Sequence, residues 1–313
     1  MKGSLSIFNS KYTVLFNLIS LLIIISASDY IVGRFLKNYY FKQKAGVYYS
    51  TTYSLQEADQ DIMIYGSSRA LRHYSPAIIS AGLGMSCYNA GRDGQGIFYV
   101  EAVIKAQLKR YTPKIALIDL HEEMFKYGHE KIDRLSCLLP YFDSQPEIRP
   151  IILKRSKFER IKLLSNVYPY NSMILTIAKN NFAKAGDHYG YMPLSRKMRP
   201  SELPPPPKKT KTFDKSSINP DTIKSLETIC NMLKTHDVKV VLLISPYFGG
   251  SQDPDMKEIV KAHAMEWSVS FFDFSGDENI MQDYRYWADR IHMNNDGAMA
   301  YSKKINRVLS QIY

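Results

Sequence analysis

Cysteine is scarce in this chain. Its 313 residues hold three, Cys87, Cys137 and Cys230, far apart and beside apolar neighbours. No C-x-x-C pair and no Cys/His cluster occurs, which argues against a zinc site and a dithiol redox centre. An odd number cannot all pair within one chain. One disulfide is allowed and none is needed, so buried filler is the simpler role. Internal repeats are absent as well. No basic helix or RNA-binding signature occurs, so nucleic acid is not an expected partner. The histidines of "HEEMFKYGH" (His121 to His129) are eight apart, not the four of a compact zinc helix. "GRDGQG" (Gly91 to Gly96) lacks both the phosphate-loop lysine and dinucleotide spacing; it reads as a loop with free N–H groups. No metal or cofactor is expected.

The totals describe a folded chain. Hydrophobic residues make up 45% and charged residues 23%, enough for one substantial core, alone or with an insertion. The net charge of +11 suits anionic partners such as lipid head groups or acidic polysaccharide. The basic residues fall mainly in short runs, Lys154-Arg155-Ser156-Lys157 and Lys208-Lys209-Thr210-Lys211. Dispersed, solvated lysines are an equal reading of the same charge.

The longest hydrophobic run is N-terminal, "YTVLFNLISLLIIISASDYIV" (Tyr12 to Val32). It approaches the ~20 residues of a spanning helix. Lys2 and Lys11 precede it, as in an export signal, and the small residues Ser26 to Ser28 form a candidate cleavage site. A retained signal anchor is the favoured reading. A cleaved signal and a buried core helix are the alternatives. Arg34, Lys37, Lys42 and Lys44 follow the run and oppose the positive-inside rule. The bulk of the chain is still expected outside the cytoplasm, on a bacterial-type inner membrane, because N-terminal apolar segments normally act in export. Residues 1–35 are thus an anchor. Residues 36–60, aromatic and polar, read as a stalk, resting on the membrane or on the globular domain.

Strands then alternate with helices. Asp61 to Tyr65, Ser86 to Asn89, Lys114 to Leu120, Val238 to Ser245 and Val269 to Phe274 read as strands. Helices are expected over Arg69 to Ala81 (broken at Ser75-Pro76), Ile97 to Arg110, Asp221 to His236, Asp255 to Trp267 and Gly297 to Ile312. This alternation implies a parallel sheet covered on both faces, a flavodoxin-like three-layer α/β/α domain over residues 61–313. The region of about 125–219 departs from it and reads as a helical insertion with a long loop. Pro204 to Pro207 in it suits an exposed polyproline segment. Tyr141, Phe142, Tyr168, Tyr170, Tyr189 and Tyr191 are candidates for a sugar-stacking cleft, with ordinary packing as the plainer reading.

In such sheets ligands gather beyond the carboxyl ends of the strands. Past the first strand come Gly66, Ser67, Ser68 and Arg69; past the second, Asn89, Ala90 and Gly91; past the third, Asp119 and His121; past the fourth, Ser245 and Pro246. Before the terminal helix lies "WADRIHMNNDGA" (Trp287 to Ala298), with Asp289 and His292 three apart. A serine hydroxyl attacks an ester only when a base takes its proton, and a carboxylate best fixes that base's tautomer. One loop supplies both partners.

These residues resemble the SGNH (GDSL-type) hydrolases. Gly66-Ser67-Ser68 resembles the family's first block, with Ser67 in place of its aspartate. Gly91 matches the second-block glycine, and Asp289-Arg290-Ile291-His292 the C-terminal Asp-x-x-His. The likeness is closest to membrane-anchored, extracytoplasmic members with a "GSSR"-like first block, some of which resemble O-acyl or O-acetyl transfer enzymes of surface polysaccharides. The resemblance implies Ser68 as nucleophile, His292 as base, Asp289 as its orienting acid, and the N–H groups of Ser68 and Gly91 as oxyanion donors. The third block departs: "ALIDLHEEMF" carries no Gly-x-Asn-Asp, so the oxyanion asparagine has no match. Arg69 or Arg92 is the candidate replacement donor. The expected function is a membrane-anchored serine esterase or acyltransferase acting on an acyl ester or glycan. The alternative is a weak or inactive domain that binds polysaccharide or a membrane partner.

Overall fold

A computed structural model describes residues 3–183, 189–203, 217–249 and 254–312. Five parallel strands form one sheet: β1 (Ile62–Tyr65), β2 (Cys87–Asn89), β3 (Ile115–Asp119), β4 (Lys239–Ile244) and β5 (Ser270–Asp273). Their order is β2-β1-β3-β4-β5. The crossover after β1 runs to one edge and the later ones to the other, so the order reverses beside β1. This is the place where an α/β sheet opens a crevice beyond its strand ends.

The helices are α1 (Gly3–Phe41), α2 (Gly46–Gln56), α3 (Ser68–His73), α4 (Pro76–Leu83), α5 (Ile97–Leu108), α6 (His129–Asp133), α7 (Arg149–Leu153), α8 (Glu159–Lys162), α9 (Ile174–Asn181), α10 (Pro220–Thr235), α11 (Pro254–Glu266), α12 (Glu278–Met281) and α13 (Asn295–Ile312). The sheet buries both faces at its centre because β1, β3 and β4 are apolar over nearly their whole length. Met63, Tyr65, Ala116, Ile118, Val240 and Leu242 join the core under α2, α5, α10 and α11. Their neighbours Ile62, Ile64, Ile115, Leu117, Val241 and Leu243 join the core under α4 and α13. Period-two alternation thus feeds two cores, and the fold is the expected three-layer α/β/α. The three cysteines are free and buried.

Two expectations change. The segment read as a stalk is largely the end of α1 and helix α2, which lies against the domain with Thr51, Thr52, Ser54 and Leu55 buried. The aromatic candidates do not share a cleft. Tyr141 and Tyr170 pack in the core, and the Tyr141 hydroxyl lies 3.1 Å from that of Tyr40 and 2.6 Å from Thr52 Oγ1. Phe142 packs partly buried against the same core. Tyr168 donates to Glu159 at 2.6 Å. Tyr189 and Tyr191 line a separate open hollow with Pro193 and Met299. Pro204 to Pro207 and the run Lys208 to Lys211 lie outside the described residues.

Gly66 makes the turn that leaves β1. Its φ is +150°, and a Cβ there would sit 2.8 Å from both Ala70 Cβ and the Asp119 carbonyl oxygen. Only a residue without a side chain lets α3 start this close to the end of β3. Gly66→Ala is therefore expected to lower unfolding stability by about 1–3 kcal/mol. The check is the urea midpoint in detergent micelles; an unchanged midpoint would show that the turn relaxes freely.

Candidate active site

The β1 turn delivers two serines to different partners. Ser67 is the N-cap of α3: its side chain accepts from the Arg69 N–H at 3.4 Å, and its Oγ lies 2.8 Å from His121 Nε2. It is 2% exposed. Ser68, the first residue of the helix, is less buried. Its Oγ lies 2.8 Å from His292 Nε2. On the far side of that ring, Nδ1 is 3.0 Å from Asp289 Oδ2 and 3.2 Å from Oδ1. The carboxylate can only accept, so Nδ1 carries the ring proton and Nε2 is left to accept from the serine hydroxyl.

Sequence-local bonds shape the Asp289 loop. Trp287 pairs with Met293 in a one-rung bridge, and the Ala288 N–H donates to the His292 carbonyl at 2.9 Å. Asp289 Oδ1 accepts from the N–H groups of Ile291 (2.7 Å) and His292 (2.8 Å). Partial burial opposes ionisation of Asp289. The His292 ring and the two N–H groups outweigh it and hold the carboxyl at about 2. The loop rests on a buried plug: Trp287 donates to the Ile280 carbonyl at 2.8 Å and packs edge-on against His73 and Phe248.

Ser68 opens into a recess of about 160 Å³ whose walls include Ser67, Gly94, His121, Glu123 and Arg134. Gly96, Met124 and Lys131 are shared with an adjoining, mainly apolar hollow of about 330 Å³ walled by Ile97, Phe98, Ile132 and Leu135. Three of the four oxyanion candidates change. The Gly91 N–H already donates to Asn89 Oδ1 at 3.0 Å, and Gly91 presses against α3, where a Cβ would be 2.6 Å from the Leu71 nitrogen. Arg69 is buried and donates to Ser245 Oγ and the Pro246 carbonyl. Arg92 donates to the Val47 carbonyl at 2.6 Å and to Thr51 Oγ1, and covers the Tyr48 ring. Arg92 is thus bound to α2, while Arg69 is held through Nε and Nη2 and its buried Nη1 has no hydrogen-bond partner among the described residues.

Gly94 was not singled out from the sequence. It lines the recess at φ +70°, and its N–H has no bond among the described residues. The Ser68 N–H is likewise without a bond there, as expected for the first residue of a helix. Beyond β3 the missing asparagine has no substitute of like chemistry: Glu123 lines the recess, and His121 faces Ser67. The second glycine of "GRDGQG" was a readable signal for a left-handed turn. Nothing in the sequence marked His121 as the partner of Ser67.

No protein-family profile matches the chain, and no curated protein matches it. Among solved structures it is similar to a provisionally assigned acylhydrolase from Bacteroides fragilis NCTC 9343, at 12% identity and TM-score 0.41, covering 84% of this chain and 94% of that one. A provisionally assigned lipolytic protein of the G-D-S-L family from Desulfitobacterium hafniense DCB-2 is 9% identical, with TM-score 0.40 and coverage of 79% and 99%. A GDSL-like lipase from Bacteroides thetaiotaomicron VPI-5482 is 10% identical, with TM-score 0.37 and coverage of 80% and 88%.

Beneath the site, His73 is fully buried. Its Nε2 accepts from the Met293 N–H at 3.1 Å, so its Nδ1 carries the proton and meets Ser245 Oγ at 2.9 Å. Burial, then the nearby Arg69 charge, pushes its pKa well below the ordinary histidine value. The sign follows. Above pH ~6.5 neither state binds the proton and the term vanishes; below it the unfolded chain takes up a proton that the folded chain refuses. Stability is therefore expected to fall from pH 7 to 5, by up to about 1.4 kcal/mol per pH unit for this group. His73→Gln should flatten that slope in thermal melts. Equal slopes for both proteins would assign the loss to other groups.

Proposed function

We propose that this protein is a membrane-anchored serine esterase or acyltransferase of the SGNH type. The observation that carries the reading is the hydrogen-bonded line from Asp289 through His292 to Ser68, with spacings of 3.0 and 2.8 Å. Ser68 Oγ attacks the acyl carbonyl while His292 Nε2 takes its proton. Asp289 holds the ring in the required tautomer and stabilises the imidazolium that forms. The oxyanion is met by the N–H groups of Ser68 and Gly94. His292 then returns its proton to the leaving alkoxide, and an acyl group remains on Ser68. Water or a second hydroxyl, activated by the same histidine, completes hydrolysis or transfer.

The substrate is an acyl or acetyl ester, with a cell-surface glycan as the proposed alcohol side. The apolar hollow beside the recess supports an acyl group on that flank. The basic net charge suits a polyanionic or membrane-bound substrate. Helix α1 is the proposed anchor, a single pass through a bacterial-type inner membrane with the domain on the extracytoplasmic side. Its support is an apolar helix over Lys11–Phe41 whose most hydropathic window is wholly unburied.

The test uses a fluorophosphonate and p-nitrophenyl acetate. Ser68→Ala is expected to abolish covalent labelling and to lower turnover by roughly 10³-fold or more. Asp289→Asn should cost about 10⁴ in kcat, through the wrong histidine tautomer. Ser67→Ala should keep the label, since its loss removes a cap and not the nucleophile. Full labelling of the Ser68→Ala protein would sink the mechanism and favour a binding role for the recess.

A further inference from the structure

Helix α1 touches the rest of the protein along one stripe. Between residues 11 and 41, Gly33, Leu36 and Tyr40 are buried and Asp29 is half-buried, at spacings of four, three and four. Residues 11–28 stand free, all exposed except a half-buried Ser20. Eighteen helical residues rise about 27 Å, a little short of a ~30 Å hydrocarbon core. Tyr30, Ile31 and Val32 continue the apolar, exposed surface. A bilayer crossed by this helix therefore has its domain-side boundary near residues 29–32.

The insertion docks at that level. The Asp29 carboxylate accepts from Ser165 Oγ, from the Asn166 N–H (2.7 Å), from Asn166 Nδ2 (3.0 Å) and from the Val167 N–H (3.3 Å). Gly33 lies so close that a Cβ would be 2.3 Å from Asn166 Cβ. Directly before this contact come three large apolar side chains in the open: Phe158 (52% exposed), Ile161 (65%) and Leu164 (80%). The Ile161 N–H donates to the Phe158 carbonyl and the Leu164 N–H to that of Ile161. Lys162 and Leu163 instead donate four residues back, to the Phe158 and Glu159 carbonyls, so residues 158–164 form a mixed 3-10 and α turn with all three apolar side chains in the open.

Charge on this segment is sorted as well. Lys157, Arg160 and Lys162 are exposed. The one acid, Glu159, is fully buried and meets Arg155 and Tyr168, with the Lys162 ammonium 3.6 Å from its Oε2. The outer surface of residues 157–164 is thus apolar and cationic, with no carboxylate. That combination suits the boundary between lipid head groups and acyl chains.

We infer that residues 157–164 form an interfacial foot, seated in the same bilayer that α1 crosses and held by anionic lipid phosphates. Phe158, Ile161 and Leu164 enter the acyl boundary, and Lys157, Arg160 and Lys162 meet the phosphates. The inference rests on the reading of α1 as a membrane span. It gives the domain a second point of contact, which fixes its tilt.

The full chain in nanodiscs tests it. Cys87, Cys137 and Cys230 are buried, so an environment-sensitive fluorophore reports from one introduced cysteine: Leu164→Cys in the foot, Leu22→Cys within α1, or Lys303→Cys on α13. The nanodiscs contain phosphatidylcholine, phosphatidylglycerol and a doxyl-labelled lipid quencher. Expected are a blue shift and strong quenching at positions 164 and 22, and neither at 303. Joint reversal by Lys157→Glu, Arg160→Glu and Lys162→Glu should at least halve the quenching at 164 in anionic discs. Unchanged quenching there would overturn the phosphate contacts. Quenching at 22 without quenching at 164 rejects the foot and leaves the span standing; quenching at neither rejects the span itself. A blue shift at 164 that lipid does not quench overturns the proposal in favour of a protein contact.

Discussion

The buried guanidinium of Arg69 is the constraint around which the site is assembled. It is 1% exposed, one residue beyond Ser68, and reaches across the strand ends to the turn after β4. Its Nε and Nη2 meet Ser245 Oγ at 3.2 and 2.8 Å, its Nη2 meets the Pro246 carbonyl at 3.2 Å, and its carbon lies 5.5 Å from the centre of the Tyr247 ring. A charge so deeply placed needs acceptors, and Nε and Nη2 have them, while Nη1 has none among the described residues. Asp119 lies in the same buried layer, at the end of β3. Burial pushes its carboxyl up, and the Arg69 charge opposes that shift. Its Oδ1 takes the Tyr74 hydroxyl at 2.7 Å and the Ser245 N–H at 3.1 Å.

This network carries the distance between Ser68 and His292. Ser68 belongs to the turn after β1 and His292 to a loop more than two hundred residues later. Direct contact between them is one hydrogen bond. The rigid connection runs underneath: α3 carries Ser68, Arg69 and His73 together, Ser245 Oγ bonds both Arg69 and His73, and His73 Nε2 accepts from the N–H of Met293, next to His292. Each step is buried, where a hydrogen bond lost without replacement costs about 1–3 kcal/mol. The neutral state of His73 is part of this geometry, because a proton on Nε2 would displace the Met293 N–H.

Legibility in the sequence followed the range of the interactions. The five strands were readable because each is a short apolar run placed between helical segments, and buried parallel strands have that pattern. Asp289 and His292 were readable because their relation is local, three residues in one loop. The two serines differ in their partners: each meets a histidine, and of those two rings only that of His292 meets a carboxylate, Asp289. What misled was the role of backbone and arginine. Gly91 and Gly94 look alike in "GRDGQG", and only the Asn89 side chain bound to Gly91 separates them. Arg92 is polar and adjacent, yet its partners Val47 and Thr51 come from a helix that composition alone presents as a stalk. No local pattern encodes either contact.

That docked helix alters what the N-terminal segment does mechanically. A flexible tether of about twenty residues would let a domain wander roughly 25 Å from its anchor. Here the chain from Asp29 to Gln56 is almost all helix, and its inward stripe is buried against the insertion and α5. Arg92 ties α2 to the loop that carries Gly94 two residues on. The insertion contributes twice: Glu130, Lys131 and Arg134 wall the recess, while Ser165 to Val167 grip Asp29. The recess and the apolar helix are therefore parts of one packed body. The direction of the Ser68 opening is thereby fixed relative to α1.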